Sequence, residues 1–250
     1  MLPIEKDAYL IHYQSQRMVK RIKEAQLCIE DFLSLYPKVS GSVSFGKDSI
    51  VMMHLIHSIA PHIPFIWADR GEGGDIPEVY DLAKEYQIRG YDIITVKTPF
   101  SILELWSKYT IDDLLKRKII TKQLKETLRK AGEDYDGFFW GLRAQESKGR
   151  RRFALCHGDI FERKDGKATC SPVLFWSARD IWGYIVGVDT PYNPYYDLVS
   201  LKPFDREETR YSNWAGICSL SQGRHSDIKR VFPSFFAQLA AIEPKVRTYV

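Results

Sequence analysis

Val43-Ser44-Phe45-Gly46-Lys47-Asp48-Ser49-Ile50-Val51-Met52-Met53-His54-Leu55 carries a short apolar-alternating segment into a small charged turn and out into a helical pattern. Val39, Val43 and Phe45 bracket small residues as a buried strand does, and Ile50, Met53 and the His54-Leu55 pair recur at the spacing of one helix face. Between the two lies Gly46-Lys47-Asp48-Ser49. A helix entered this way leaves its first amides without helical partners, and its dipole adds positive potential at the same end. Gly46 lets the backbone approach an anion and Lys47 adds a full charge, so the stretch reads as a nucleotide-phosphate loop.

Two kinds of phosphate loop fit these residues. Gly41 to Lys47 matches the first seven places of the Walker pattern, but Asp48 stands where that pattern needs a hydroxyl for magnesium. The Walker reading also ends the strand before Gly41, leaving Tyr36-Pro37-Lys38-Val39-Ser40, in which the proline is a poor fit. Ser44-Phe45-Gly46-Lys47-Asp48-Ser49 resembles instead the PP-loop of the ATP pyrophosphatase superfamily, whose core reads Ser-Gly-Gly-Lys-Asp-Ser. Phe45 replaces one glycine, a departure that looks like the sulfonucleotide branch, the relatives of phosphoadenylyl-sulfate (PAPS) reductase and of the sulfate adenylyltransferase small subunit.

The 250 residues, 44% hydrophobic and 27% charged, suit one α/β domain with extensions. We divide them into an N-terminal helical arm over 1–36, a nucleotide-binding domain over 37–205 and a helical extension over 206–250. No apolar run approaches the ~20 residues of a membrane span. Met1-Leu2-Pro3-Ile4-Glu5-Lys6 lacks the basic start and apolar core of a signal peptide, so a cytoplasmic protein without membrane attachment is expected. A net charge of +4 suits polyanionic ligands without demanding nucleic acid. Cys28, Cys156, Cys170 and Cys218 form no C-x-x-C pair and read as free thiols.

A helical pattern runs from about Lys6 to Leu35 and ends at Tyr36-Pro37. Phe65-Ile66-Trp67-Ala68-Asp69 reads as a buried parallel strand with a carboxylate at the edge where α/β sheets bind ligands. The glycine-rich loop from Arg70 follows, and Pro77 opens a helix over Glu78 to Gln87. Tyr91 to Val96 alternates as a third strand. Ile102 to Lys130 is helical in pattern, with Thr110 as an N-cap, and its basic run from Lys116 to Lys130 reads as a solvated face.

Phe138-Phe139-Trp140-Gly141-Leu142-Arg143-Ala144-Gln145-Glu146-Ser147-Lys148-Gly149-Arg150-Arg151-Arg152 is the second informative cluster. An aromatic strand ends at Gly141, and Arg143, Glu146 and Arg150 follow at spacings that share one face if the segment is helical. Arginine suits bidentate phosphate or sulfate recognition, and Glu146 can orient an arginine or hold a metal. The cluster looks like the Gly-x-Arg-x-x-Glu-Ser…Arg signature of PAPS reductase-like proteins. Ser177 reads as a further N-cap, Trp176 and Trp182 as core, and the loop tyrosines of Thr190 to Asp197 as exposed candidates for stacking on a base. Family proteins carry similar segments here, so the resemblance spans about residues 39 to 200.

In the tail, Cys218 stands alone where some relatives carry a Gly-Cys-x-x-Cys element, with Ser221 in place of the second cysteine, so no iron–sulfur cluster is expected. Lys245 to Val250 holds no Glu-Cys-Gly segment, which argues against thiol-based reduction at that position. A tail helix from Asp227 packs Val231, Phe235 and Leu239 on the core, and Arg224 and His225 are further candidates for phosphate.

The expected fold is a doubly wound, mostly parallel α/β sheet of the adenine nucleotide alpha hydrolase type. The resemblance implies cleavage of ATP between its α and β phosphates, with adenylation of an acceptor in sulfur-related or nucleic-acid-modification chemistry. On that reading Ser44, Phe45, Gly46, Lys47, Asp48 and Ser49 cradle phosphate, with Asp69, Gly141, Arg143, Glu146 and Arg151 completing the nucleotide and acceptor site. Lys47, Asp48, Arg143 and Arg150 carry the chemistry, and Asp48 binds Mg²⁺. Partners would be the nucleotide (ATP, or PAPS or its unphosphorylated analogue), a small-molecule or nucleic-acid acceptor, and a second copy through the arm or a partner subunit. The rival readings are a sulfonucleotide oxidoreductase, with Cys156 or Cys218 as its thiol, and a non-catalytic nucleotide sensor.

Overall fold

The computed structural model describes residues 1–211 and 224–249. In chain order the elements are α1 (Pro3–Tyr13), α2 (Gln16–Leu35), β1 (Val39–Val43), α3 (Lys47–Ile59), β2 (Phe65–Asp69), α4 (Pro77–Ile88) and β3 (Ile93–Lys97). There follow α5 (Ile102–Lys108), α6 (Ile111–Arg117), α7 (Ile119–Ala131), β4 (Gly137–Trp140), a 3-10 turn (Ala144–Glu146), α8 (Lys148–His157), β5 (Ile160–Glu162) and β6 (Ala168–Cys170). The chain continues through α9 (Ala178–Gly187), α10 (Tyr195–Val199), α11 (Asp205–Glu208), α12 (Arg224–Val231), α13 (Pro233–Ile242) and a last 3-10 turn (Pro244–Tyr249).

The strands form a single six-stranded sheet in the order β3-β2-β1-β4-β6-β5. β1, β2, β3, β4 and β6 run parallel, and β5 pairs antiparallel at one edge. Every residue of β2 is buried, as its continuous apolar run requires of a central parallel strand. β3 forms the other edge, with Ile94 and Thr95 exposed and Lys97 at its end, and such a charge discourages a further strand from pairing. α3 packs on β1 and β4 with α2 and α9 against it, while α7 packs on β2 and β3. β1 crosses to β2 in one direction and β3 returns to β4 in the other, and right-handed crossovers of that kind put α3 and α7 on opposite faces, which is the doubly wound architecture expected from the sequence.

β1 runs through Gly41, which pairs with Phe65, and a Cβ there would lie 2.5 Å from a Phe65 ring carbon. Gly41 is therefore a strand residue and not the head of a Walker loop.

Several segments differ from the sequence reading. The arm is two helices, broken where Ser15 turns out of helical geometry and its hydroxyl accepts from the Met18 amide at 3.3 Å. The segment from Ile102 to Lys130 is three helices, parted at Tyr109 and at Lys118, whose φ of 51° is left-handed. Thr110 does cap the second of them. In the tail, Phe232 parts α12 from α13, which opens at Pro233; Leu239 is buried, and Val231 and Phe235 pack partly buried on the core. Cys218 and Ser221 lie outside the described residues. Among the described residues no helix is long and apolar enough to cross a membrane.

Candidate functional site at the sheet switch point

From β1 the chain winds through β2 to β3 and then returns to β4 on the other side of β1. The connections thus reverse direction between β1 and β4, and ligands of open α/β sheets bind beyond the carboxyl ends of strands at such a point. Here the Ser44–Gly46 loop and the first turn of α3 face the segment leaving β4. A Cβ on Gly141 would lie 2.6 Å from Cα and 2.7 Å from N of Ser49, so only glycine lets the end of β4 approach the start of α3 this closely.

The loop is braced from below. Phe45 adopts a left-handed φ of 52°, and its fully buried ring packs edge-on against Trp67 and tilted on Tyr86. Its carbonyl accepts from Asn193 Nδ2 at 3.1 Å. The motif's missing glycine is thus an aromatic anchor whose burial offsets the cost of an unfavourable backbone. Above it, Ser49 Oγ accepts from the Ser44 amide at 3.2 Å and donates to the Gly46 carbonyl at 3.0 Å.

Lys47 opens α3 almost fully buried, at 1% exposure. Its amide donates to the Tyr196 hydroxyl at 3.0 Å, and its ammonium donates to the Thr209 carbonyl at 2.6 Å, 5.2 Å from the centre of the Tyr196 ring. Burial, and then the Asp48 charge, push the Tyr196 hydroxyl well above the usual phenol range, so it keeps its proton.

Asp48 Oδ1 accepts from Arg143 Nε at 2.5 Å, and the same guanidinium also donates to Gln145 Oε1 and the Trp176 carbonyl. Arg143 is extended rather than helical, Ala144–Glu146 is a 3-10 turn, and Ser147 caps a separate helix, α8. The three-residue spacing nonetheless brings Glu146 Oε2 back to the Arg143 amide at 3.1 Å, where it also accepts from Arg150 Nη1. Arg210 donates to the Glu146 carbonyl. Four cations, Lys47, Arg143, Arg150 and Arg210, therefore gather around two carboxylates, Asp48 and Glu146. Burial, followed by repulsion from Arg210, lowers the Arg150 pKa, and Asp48 only partly opposes this.

These groups enclose a cavity of about 110 Å³. Of the residues expected from the sequence, Ser44, Gly46, Lys47, Asp48, Ser49, Gly141, Glu146 and Arg150 line it. Phe45 lies beneath, and Arg143 stands behind Asp48. Asp69 is set apart at the end of β2, where its Oδ1 accepts from the Gly71 amide at 2.9 Å and the Tyr80 hydroxyl at 2.7 Å. Arg151 lies on another face of α8, beside Leu155, Phe175 and Trp176. Leu142, Arg210 and Tyr211, which the sequence reading does not place in the site, also line the cavity, as does Tyr196, a candidate there only for stacking on a base. The loop tyrosines expected to be exposed are otherwise placed: Tyr195 and Tyr196 are buried and Tyr192 is half-buried. Tyr195 stacks on Phe232, and Tyr196 packs edge-on against Trp182. His225 is buried beside Trp106 rather than placed at the phosphate loop.

A larger cavity, about 750 Å³, opens between the β2–α4 loop and Val231–Phe235, with Tyr80, Asp75 and Phe235 in its walls. Tyr211 joins the two, lining the small cavity and donating from its hydroxyl to Asp75 Oδ1 at 2.7 Å.

Comparison with known proteins agrees with this architecture. The family model of the phosphoadenosine phosphosulfate reductase domain matches residues 38–201. A phosphoadenosine 5'-phosphosulfate reductase of Xylella fastidiosa is 29% identical over 203 residues, covering 72% of this chain and 81% of its own. A Synechococcus protein of the same name is 28% identical over 167 residues, covering 62% of this chain and 68% of its own. Among solved structures, PAPS reductase from Candida auris superposes with a TM-score of 0.55 at 17% identity, covering 79% of this chain and 98% of the other. FMN adenylyltransferase of Candida glabrata shares the fold, with a TM-score of 0.53 at 14% identity over 80% of this chain and 68% of the other. The phosphate loop at the switch point, the Gly141–Arg150 cluster and the domain match lead to one assignment: the chain belongs to the PAPS reductase family of the PP-loop superfamily.

Proposed function

We propose that the protein binds ATP with its polyphosphate in the switch-point cavity and cleaves it between the α and β phosphates, adenylating an acceptor. The carrying observation is the concentration of Lys47, Arg150 and Arg210 on one cavity of about 110 Å³. That volume is far below the ~300 Å³ at which whole-ligand pockets begin. It suits a phosphate group or two, with the nucleoside outside, and the 750 Å³ cavity beyond Tyr211 has the volume for it. The contiguous charge of a polyphosphate matches such a focus, whereas a sulfonucleotide divides its charge between two ends of the ribose.

On this reading an acceptor oxygen attacks the α-phosphorus, the bond to the bridging oxygen breaks, and pyrophosphate leaves with the electron pair. The first-turn amides of α3, with Arg150 and Arg210, stabilise the charge that grows on the leaving group. Lys47, buried behind the loop, adds its field in a medium of low dielectric. Arg143 holds Asp48, which lines the cavity, by Oδ1, and Asp69 holds Tyr80 in the wall of the larger one. Mg²⁺ fits this donor set in its usual manner, with one carboxylate, Asp48, beside phosphate oxygens and water. When bound it would neutralise phosphate charge.

Family membership favours a second reading, in which the nucleotide is PAPS and a thiol attacks its sulfur. One experiment separates the two. Pyrophosphate release from ATP with Mg²⁺, and sulfite release from PAPS with a dithiol reductant, are measured for the wild type, Lys47→Ala and Cys218→Ser. The proposal expects pyrophosphate release that Lys47→Ala abolishes and Cys218→Ser leaves intact. Sulfite release lost in Cys218→Ser, with no pyrophosphate from ATP, would establish the second reading instead.

A further inference from the structure

α8 does not resemble a helix kept for packing. Its sequence, Lys-Gly-Arg-Arg-Arg-Phe-Ala-Leu-Cys-His, buries Ala154 alone and contains no acidic residue. Lys148 and Arg150 occupy its first turn, where the positive end of the helix dipole disfavours cations. Glu146 answers Arg150, but Lys148, Arg151 and Arg152 are exposed and make no ion pair among the described residues. Apolar side chains also face water: Phe153 is 42%, Leu155 74% and, on the adjoining turn before α9, Phe175 41% exposed. Arg151 and Leu155, one turn apart, border a shallow groove with Phe175 and Trp176. Phe153 packs on the His157 ring at 4.4 Å with its edge to Phe161. Cations opposed by the helix dipole lower stability and exposed rings lower solubility, and neither is needed to hold Arg150 in the phosphate cavity.

We propose that α8 and the turn carrying Phe175 form a track for single-stranded nucleic acid that delivers the acceptor to the phosphate cavity at the helix's own N-terminus. The delivery role rests on the adenylation reading above; the binding does not. Exposed Lys148, Arg151 and Arg152 suit a phosphate backbone, while Phe153 and Phe175 between them offer faces on which bases stack. An acidic peptide would use the charges and leave the rings bare. The helix is about 15 Å long, and Arg150 ties it to the cavity at one end.

The test is fluorescence anisotropy of a labelled 12-nucleotide oligouridylate with the full chain, without nucleotide, over a range of salt. The variants are Lys148→Glu/Arg151→Glu/Arg152→Glu, Phe175→Ala, and Lys116→Glu/Lys122→Glu/Lys125→Glu on the equally exposed α6–α7 surface as a charge control. Expected is salt-dependent binding that the α8 variant weakens at least tenfold. Its slope of log affinity against log salt should be shallower by about 2, three contacts at ~0.7 each. Phe175→Ala should weaken binding about fivefold, and the α6–α7 control less than twofold. Pyrophosphate release from ATP alone should be unchanged in Phe175→Ala and in the α6–α7 control. Glutamine at the three α8 positions repeats the test if the glutamate variant melts early. Equal loss in both charge variants, absence of wild-type binding, or full competition by polyglutamate would overturn the proposal. Lost pyrophosphate release in the wild type with oligonucleotide binding intact would overturn the adenylation reading and leave the track standing.

Discussion

Arg206 and Arg210 stand one turn apart in sequence and belong to opposite kinds of charge cluster. Arg206, 2% exposed, is held by Glu5 through Nε at 2.9 Å and Nη2 at 3.3 Å, and by Asp197 through Nη1 at 2.8 Å. Glu5 also accepts from the Leu2 and Phe204 amides, and the guanidinium lies over the Trp182 ring. That cluster ties α1 to α10 and α11, and with the Met1 ammonium on Asp197 Oδ1 at 2.8 Å its two cations match its two carboxylates. Around Arg210 that balance is lost, with four cations to two carboxylates and a cavity among them. Burying charge is costly unless it is paired. A paired cluster is therefore a strut, and one left with surplus cations beside a helix N-terminus suits the anion proposed for it.

The largest effect should come from breaking the strut. Arg206→Ala leaves Glu5 buried and uncompensated, which costs about 3–5 kcal/mol, and thermal unfolding should show a correspondingly large drop in Tm. Gly141→Ala sharpens the other side of the comparison. Its Cβ meets α3 backbone, which has no rotamer to yield, so a cost of about 1–3 kcal/mol in chemical denaturation is expected together with reduced pyrophosphate release.

Acid separates the clusters further. Burial alone would raise the Glu5 carboxyl, but the hydrogen bond from Arg206 and those from the Leu2 and Phe204 amides outweigh it, and its pKa falls below the ordinary 4.5. A carboxylate depressed by folding adds stability that is present above its unfolded pKa and lost as pH falls through its folded one. Wild-type stability should thus drop below about pH 4.5, and Glu5→Gln should be less stable at neutral pH with a flatter acid limb. The smallest effect should belong to the site. Arg150→Gln, relieving repulsion, should shift the stability of the ligand-free protein by no more than ~0.5 kcal/mol. A strong destabilisation by this substitution would show that the surplus is structural, and would erase the distinction.

Local signals recovered the scaffold of the site. Gly46-Lys47-Asp48-Ser49 and Gly141 are read from strand-turn-helix patterning, and Pro77, Thr110 and Ser177 from capping, because those features act within a few residues. The breaks at Ser15 and Lys118 went unread, since the apolar periodicity continues across both. Tyr196 and Arg210 reach the site over long stretches of sequence, Tyr196 to the Lys47 amide and Arg210 to the Glu146 carbonyl, and neither lies in a segment whose pattern points to phosphate. The Thr190–Asp197 loop looked exposed because it is rich in proline and tyrosine, yet its tyrosines fill the space under the phosphate loop. Composition carries no information on which neighbours will cover a loop.

The most direct test of the charge argument is calorimetric titration of inorganic pyrophosphate into the wild type and into Arg150→Gln/Arg210→Gln, with Tm recorded for both. One site is expected in the wild type, with at least tenfold weaker binding in the double variant and closely similar Tm values without ligand. Equal affinities, or no binding to the wild type, would contradict the assignment of the switch-point cavity to polyphosphate.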